Sequence, residues 1–176
     1  MAFNILVDPG RRVYVRRINI AGNVRTRDEV IRREMRQFED AWYDADKIQL
    51  SRSRIDRLGY FTEVKIDTVP VADAADQVDL NLIVTERPTG NVSVGIGFSS
   101  TDKLILSGSL VQENFLGTGK SLALQVNTSR LFRTIVLSYT DPYYTPDGIS
   151  RTFDLYTRTF NATALELGDY RTRATG

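Results

Sequence analysis

The chain has no cysteine and no histidine among its 176 residues. Without cysteine there is no disulfide framework and no thiol chemistry, and without histidine the commonest metal ligand and general base is missing. The formal net charge is only +1, and acidic and basic residues are interleaved. We therefore expect no metal, no cofactor and no nucleic-acid partner. An enzyme built from this sequence would have to work with carboxylates, Lys, Tyr or Ser.

Long hydrophobic runs are also missing. No stretch approaches the roughly 18 apolar residues of a membrane-spanning helix. The N-terminus, residues 1–8, has no basic region and its apolar run is interrupted by Asn4, so we do not expect a signal peptide. Membrane β-strands alternate polar and apolar residues and are only weakly hydrophobic on average, so composition leaves a membrane barrel open.

Charge is distributed unevenly along the chain. Residues 1–89 carry 15 Lys/Arg and 15 Asp/Glu, whereas residues 90–176 carry 8 and 7. Across the same division Gly, Ser and Thr rise together from 10 to 30. We predict a boundary at Glu86–Pro88, with a water-soluble unit before it and β structure of another kind after it.

The first unit predicts a β-α-α-β-β order. Alternation of Tyr14, Ile18 and Ile20 with polar residues indicates a half-buried strand from about Arg12 to Ile20. Two further strands are expected at residues 60–69 and 78–86, joined by a hairpin loop at residues 70–77. A second helix is expected to begin after Asp44 as N-cap and to continue through Ile48, Ser51, Ile55 and Leu58, with Gly59 at the C′ position, where φ is positive.

The first helix is predicted from Arg27 to about Phe38. Thr26 followed by Glu29 matches the capping-box pattern. Apolar residues at helical spacing are expected on the buried side, namely Val30, Ile31, Met35 and Phe38. Charged residues form a stripe on another side, namely Glu29, Arg32, Arg36 and Glu39. Such a stripe is either a solvated face with internal ion pairs or a surface that meets a partner.

Residues 4–10 resemble residues 81–88, because both are apolar strand ends that run into a turn. Residues 1–10 are therefore either the last strand of a preceding copy of the same module or an ordinary N-terminal strand of this one.

The second unit alternates with a period of two. Val92, Val94, Ile96 and Phe98 are separated by Ser and Gly, and similar segments follow at residues 104–112, 122–128, 135–141 and 153–160. With their flanks these segments have the length of tilted strands that cross a bilayer, about 9 to 11 residues. Their other faces carry small and polar residues that suit a barrel lumen. A water-soluble antiparallel sheet would alternate in the same way.

Four strings occur in order along the chain: residues 32–37 (RREMRQ), 57–61 (RLGYF), 112–120 (QENFLGTGK) and 140–148 (TDPYYTPDG). The last two are similar to turns at the start of the barrel in the BamA family of outer-membrane assembly factors. The first two are similar to the last polypeptide-transport-associated (POTRA) domain of that family. The resemblance implies an α+β chain: a POTRA domain with two helices on a three-stranded mixed sheet at 11–88, then antiparallel strands of a transmembrane β-barrel at 89–176. Five or six strands are too few to close such a barrel, so this part is incomplete.

The resemblance also implies a location and partners. The protein would lie in the Gram-negative outer membrane, in contact with lipid, with its POTRA domain in the periplasm. The turns at 113–119 and 142–149 would then face the periplasm and place Phe115, Tyr143 and Tyr144 in a membrane-interface girdle. The matching POTRA helix in this family meets the lipoprotein BamD, which selects Glu29, Arg32, Arg36 and Glu39 as candidate partner-binding residues.

In proteins of this family the first barrel strand templates strands of unfolded outer-membrane clients. Here that role would fall on Gly90, Val92, Val94, Gly95, Ile96, Gly97 and Phe98. Gly95 and Gly97 either weaken this strand so that it parts from its neighbour, or are small only because they face a crowded lumen.

Other function classes are compatible with the pattern. A POTRA-barrel secretion pore would export a passenger chain rather than insert it, and a soluble two-domain binding module would have no membrane strands. A carboxylate enzyme would need two facing acids. Asp141, Asp147 and Asp154 are available, but Asp141 and Asp147 stand in turns where Asp is expected for geometry alone, so we expect no catalytic residue.

Overall fold

The computed structural model describes residues 12–100, 102–161 and 171–176. The interpretation of residues 1–10 as a strand of a preceding module lies outside the described residues. The chain forms two compact units, residues 1–87 and 88–176. Within the described ranges, no helix has both the length and the apolar character to cross a membrane.

The first unit has the predicted β-α-α-β-β order. Its elements are β1 (Tyr14–Ala21), α1 (Asp28–Arg32), α2 (Ala45–Arg57), β2 (Phe61–Val71) and β3 (Ala74–Glu86). The sheet order is β1-β3-β2, with β1 parallel to β3 and β2 antiparallel to it. This confirms the expected three-stranded mixed sheet with two helices.

The core of this unit lies between the central strand and the helices. Leu80 and Leu82 of β3 and Ile55 of α2 are all 0% exposed. Burying each aliphatic side chain of this size stabilises the fold by about 1.5–3 kcal/mol. The other buried apolar residues are Val15, Ile18, Val30, Ile31, Met35, Tyr60, Phe61, Val64, Val78 and Val84.

At the start of β1, the side chain that points into the core is not the predicted one. Val15 is fully buried, whereas Tyr14 is only partly buried and stacks on Trp42 at 4.1 Å between ring centroids. The cause is an irregularity in the pairing of β1 with β3 between Val15 and Arg17, which shifts the alternation by one residue. Ile18 stays in the core, as predicted.

The first helix is much shorter than predicted, and Phe38 is not a core residue. α1 ends at Arg32, and Phe38 is 63% exposed. Ser51 of α2 explains the early end, because its buried hydroxyl accepts the backbone N–H of Arg36 at 2.8 Å and donates to the carbonyl of Lys47 at 2.7 Å. The chain after α1 is therefore bound to α2 instead of continuing its own helical hydrogen bonds.

The capping box predicted at Thr26 and Glu29 is also wrong. The N-cap of α1 is Arg27, which makes no side-chain cap hydrogen bond. The carboxylate of Glu86 at the end of β3 accepts the backbone N–H of Thr26 at 2.6 Å and that of Arg25 at 3.0 Å. Burial raises the pKa of Glu86, but the hydrogen bonds from Thr26 and Arg25 outweigh it and hold the pKa below its usual value. A distant strand end thus fixes the start of α1.

The prediction for the second helix is confirmed. Asp44 is its N-cap, and its carboxylate accepts the backbone N–H groups of Asp46 at 3.0 Å and Lys47 at 3.2 Å. Gly59 follows the helix with φ +72°, the left-handed conformation expected there.

The hairpin between β2 and β3 is tighter than the predicted loop at 70–77. Val71 pairs with Ala74, so only two residues form the turn. Pro70 lies within β2, which is an edge strand, the kind of strand to which Pro is largely confined within sheets.

The second unit is an antiparallel meander of six strands in sequence order. They are β4 (Gly90–Ser99), β5 (Lys103–Phe115), β6 (Lys120–Thr128), β7 (Phe132–Asp141), β8 (Arg151–Asn161) and β9 (Arg171–Thr175). The five alternating segments are therefore confirmed as strands.

The two faces of this sheet have opposite chemistry. One register row runs across five strands as Val92, Leu110, Leu124, Leu137 and Leu155. The adjacent row on the other face begins Ser93, Ser109 and Gln125, and the first two hydroxyls are 2.7 Å apart. An apolar face opposite a hydroxyl- and amide-bearing face is the arrangement of strands between lipid and a polar lumen.

Candidate functional site

The first barrel strand is an edge. β4 pairs with β5 along its whole length, from Gly90 with Gln112 to Ser99 with Lys103. Within the described residues no strand pairs with the other side of β4. A strand of ten residues with one unpaired side presents a row of backbone donors and acceptors that favours pairing with another strand.

All seven predicted gate residues lie on this strand. The apolar ones point to one face, where exposure ranges from 69% at Val92 to 81% at Val94. Ile96 and Phe98 are 76% and 78% exposed. An exposed, regular, apolar edge is a strong template for strand addition, because neither charge nor Pro interrupts it.

The glycines of β4 have different surroundings. A Cβ at Gly95 would lie 2.5 Å from the hydroxyl oxygen of Ser107, which donates to the Gly95 carbonyl at 3.3 Å. A Cβ at Gly97 would meet only Ile105 Cβ, at 3.8 Å, an ordinary contact. Close packing therefore accounts for a small residue at Gly95 and does not account for one at Gly97.

The three predicted girdle residues lie at one end of the meander. Phe115 ends β5, and Tyr143 and Tyr144 follow β7. Since β5 and β7 run in the same direction, the two turns lie at the same end of the strands. Tyr144 is 52% exposed, with the guanidinium carbon of Arg151 3.7 Å from its ring centroid. An exposed aromatic ring beside a cation is typical of a membrane interface, and this role stays a prediction.

Two of the predicted partner-binding residues come together at the free side of β1. Arg32 and Glu39 approach to 3.5 Å, and both remain nearly half exposed. Glu39 also accepts the backbone N–H of Ile18 at 2.8 Å, and Arg32 donates to the Ile18 carbonyl at 3.1 Å. The pair thus satisfies both backbone groups of Ile18 that a further strand would otherwise bind, and it holds the segment after α1 against β1.

The other two residues are not part of this pair. Glu29 is 68% exposed at its side chain and lies 3.5 Å from Arg27. Arg36 donates to the carbonyls of Arg33 at 3.2 Å and Met35 at 3.0 Å. The expected continuous helical stripe is wrong because the helix ends at Arg32.

Comparison with known families supports this architecture. The POTRA family, described as surface antigen variable number repeat, matches residues 13–87. The Omp85 superfamily domain matches residues 114–176. The two matches are consecutive and fall in the first and second unit respectively.

Individual relatives cover almost the whole chain. The outer membrane protein assembly factor BamA of Neisseria meningitidis serogroup B is 43% identical over 176 residues, which are 99% of this chain and 22% of that protein. The chain therefore spans less than a quarter of that relative. Haemophilus ducreyi BamA lacking POTRA domains 1–3 superposes with a TM-score of 0.86 at 36% identity, over 96% of this chain and 32% of that chain.

A more distant structure shares the fold alone. CdiB from Escherichia coli matches 93% of this chain and 31% of its own, with a TM-score of 0.58 and 20% identity. Family membership thus rests on the matches above 30% identity and on the two domain matches. The chain belongs to the BamA family of outer-membrane proteins and consists of a periplasmic POTRA domain followed by strands of an Omp85-type barrel.

Proposed function

We propose that this chain is part of an assembly factor that folds β-barrel proteins and inserts them into the outer membrane. The observation that carries the proposal is β4 itself, a regular strand of ten residues that follows the POTRA domain directly and contains neither a charged residue nor Pro. Its ladder to β5 occupies one side of the strand, and the other side is positioned to pair with a strand of an unfolded client by β-augmentation.

The bilayer makes this strand pairing energetically favourable. An unpaired backbone group in hydrocarbon costs several kcal/mol, because no water is present to satisfy it. A client strand that binds along β4 satisfies its own groups and those of β4 together, so each added pair lowers the free energy of both chains. No covalent step is needed, and the proposed activity is non-enzymatic.

Gly97 supports release of the client. Glycine lowers the packing and raises the backbone freedom of a strand. A methyl group at Gly97 would make only an ordinary contact with Ile105 of β5, so the neighbouring strand does not require glycine here, and we assign its small size to the need for β4 to exchange partners.

A reconstituted system distinguishes assembly from secretion. The full-length parent protein in phospholipid vesicles is expected to convert an unfolded outer-membrane client to a heat-modifiable, protease-protected form in the bilayer. Vesicles without the protein provide the control. Recovery of the client free in the vesicle lumen would instead support the secretion pore, and conversion no greater than in the control would contradict assembly.

We further propose that the POTRA domain docks a periplasmic lipoprotein of the BamD kind at the Arg32–Glu39 pair. Hydrogen bonds to the backbone of Ile18 hold the pair in place. Both side chains remain nearly half exposed, and the pair carries one charge of each sign. Prepositioned opposite charges favour a partner with a complementary pair and disfavour others.

Two substitutions at Glu39 separate its charge from its hydrogen bond. Glu39→Lys removes the acceptor for Ile18 N–H and places a cation beside Arg32, so we expect lipoprotein affinity to fall about tenfold or more, in line with the cost of disrupting an interfacial charge pair. Glu39→Gln keeps an acceptor and removes only the charge, so we expect a smaller loss. Surface plasmon resonance gives the affinities and circular dichroism checks the fold. Unchanged affinity and fold in Glu39→Lys would remove Glu39 from the docking site.

A further inference from the structure

The segment between α1 and α2 exposes a group of aromatic side chains. We call residues 36–44 the aromatic loop. Phe38 is 63% exposed, Trp42 46% and Tyr43 39%. Large apolar side chains grouped at a surface mark a site of interaction more often than isolated ones do.

Buried hydrogen bonds hold this loop in one shape. Gln37 is 1% exposed, and its amide nitrogen donates to the carbonyls of Phe38 at 3.2 Å and Trp42 at 2.9 Å. Its amide oxygen accepts the backbone N–H of Asp44 at 3.1 Å. One buried side chain therefore connects both ends of the loop.

Backbone hydrogen bonds to the edge strand β1 also hold the loop in place. The backbone of Val15 accepts from Asp40 at 2.8 Å and donates to Ala41 at 3.0 Å. One face of the Trp42 ring stacks on Tyr14 at 4.1 Å. The aromatic side chains are therefore displayed from a rigid frame, which lowers the conformational entropy lost when they bind.

We propose that the aromatic loop is the hydrophobic anchor of the lipoprotein-docking surface, with Phe38 inserting into an apolar pocket of the partner. Interfaces obtain most of their affinity from a few aromatic and Arg side chains near their centre. Phe38 is adjacent in sequence to Glu39, so the anchor and the charge pair form one surface. The inference rests on the proposed docking of a lipoprotein and names the residue that supplies most of its affinity.

The charged residues around the aromatic loop favour a protein as its binding partner. Residues 36–47 carry four acidic residues and two basic ones. Arg36 is directed to backbone carbonyls, and Lys47 lies 3.8 Å from Asp44. Arg12 lies over the Trp42 ring at 5.0 Å and Arg32 lies 3.5 Å from Glu39, so charges of both signs border the loop. A surface of mixed charge gives no net attraction to anionic phospholipid and offers complementary pairs to a protein. It suits a protein whose apolar pocket is bordered by charged side chains of both signs.

The test compares Phe38→Ser with Val24→Ser in the full-length parent protein in nanodiscs. Val24 is 91% exposed in the same domain and lies outside the aromatic loop, so it controls for loss of exposed apolar surface. Titration with the purified lipoprotein is expected to show affinity lowered about tenfold or more for Phe38→Ser and within about twofold of wild type for Val24→Ser. Both side chains are largely solvent-exposed, so unfolding midpoints should match wild type.

A second measurement uses Phe38→Cys carrying an environment-sensitive fluorophore; residues 1–176 contain no cysteine, and any cysteine elsewhere in the parent protein is replaced by serine. Lipoprotein should shift its emission to shorter wavelength, whereas brominated phospholipid in the nanodisc should not quench it. Quenching by brominated lipid without a response to lipoprotein would overturn the inference and assign the loop to the membrane.

The remaining outcomes separate the two proposals. Equal lipoprotein affinity for wild type, Phe38→Ser and Val24→Ser would overturn the anchor and leave the docking proposal standing. Absence of lipoprotein binding by wild type would overturn the docking proposal and the anchor together.

Discussion

Replacing Gly22 with alanine is expected to destabilise the POTRA domain by about 3 kcal/mol or more. Gly22 follows β1 with φ +90°, and a Cβ there would lie 1.9 Å from the carbonyl oxygen of Val84. That oxygen belongs to the backbone of the central strand, where the side chain of Val84 is itself buried, as is that of Leu82 two residues earlier. The clash cannot be relieved by rotating a side chain, so β1 or β3 would have to move.

Gly59→Ala provides the matched control. Gly59 also has positive φ, +72°, but a Cβ there would meet only the end of the Arg87 side chain, at 3.2 Å. That side chain can move, so only the conformational penalty of about 1–2 kcal/mol should remain. Urea unfolding followed by the fluorescence of Trp42, the single tryptophan of the chain, measures both variants. Equal destabilisation by the two substitutions would show that the Val84 carbonyl does not limit Gly22.

Local patterns predicted the elements whose stabilising contacts are also local. The N-cap at Asp44 and the left-handed Gly59 depend on bonds within one helix, and both were read correctly. The alternation at 92–98 predicted β4 for the same reason, since a period of two is a property of the strand itself.

The length of α1 could not be predicted because distant residues determine it. The hydroxyl of Ser51 accepts a hydrogen bond from the backbone N–H of Arg36, and the carboxylate of Glu86 accepts one from the backbone N–H of Thr26. The buried Glu34, 4% exposed and 2.8 Å from Arg54, belongs to the same tertiary network. In sequence it is one acidic residue among several, and no local signal distinguishes it.

The candidate site was predicted in part. Helical spacing placed Arg32 and Glu39 on one stripe but two turns apart. In the structure they meet, because the chain returns after α1 and both residues bind the backbone of Ile18. Phe38 was assigned to the core because its spacing fitted a longer helix; the end of α1 at Arg32 places it at the surface instead. The edge position of β4 is a property of the sheet order, which alternation alone does not determine.

Client strands are expected to crosslink to β4 with a period of two. Cysteines would be placed singly at positions 92 to 97 in the full-length parent protein, and singly along a strand of a client that is stalled during assembly. Residues opposite each other in paired strands have Cβ atoms about 4.5–5.5 Å apart on one face. For each single client cysteine, a disulfide should therefore form with the opposite position of β4 and, more weakly, with the positions two residues away on the same face, but not with the adjacent positions.

A central strand supplies the control for this experiment. Leu124 of β6 lies on the same apolar face as Val92, in the same register row, but β6 is paired on both sides, with β5 and with β7. A cysteine at Leu124 would face the same side of the sheet and remain partly exposed, yet its strand has no free side. It should give no crosslink to the client.

This crosslinking pattern is the most direct test of strand templating by β4. For each client cysteine we expect disulfides at the opposite position of β4 and at alternate positions beside it, and none at Leu124. Crosslinks at Leu124 as strong as those along β4, or crosslinks along β4 without alternation, would contradict templating of client strands at this edge.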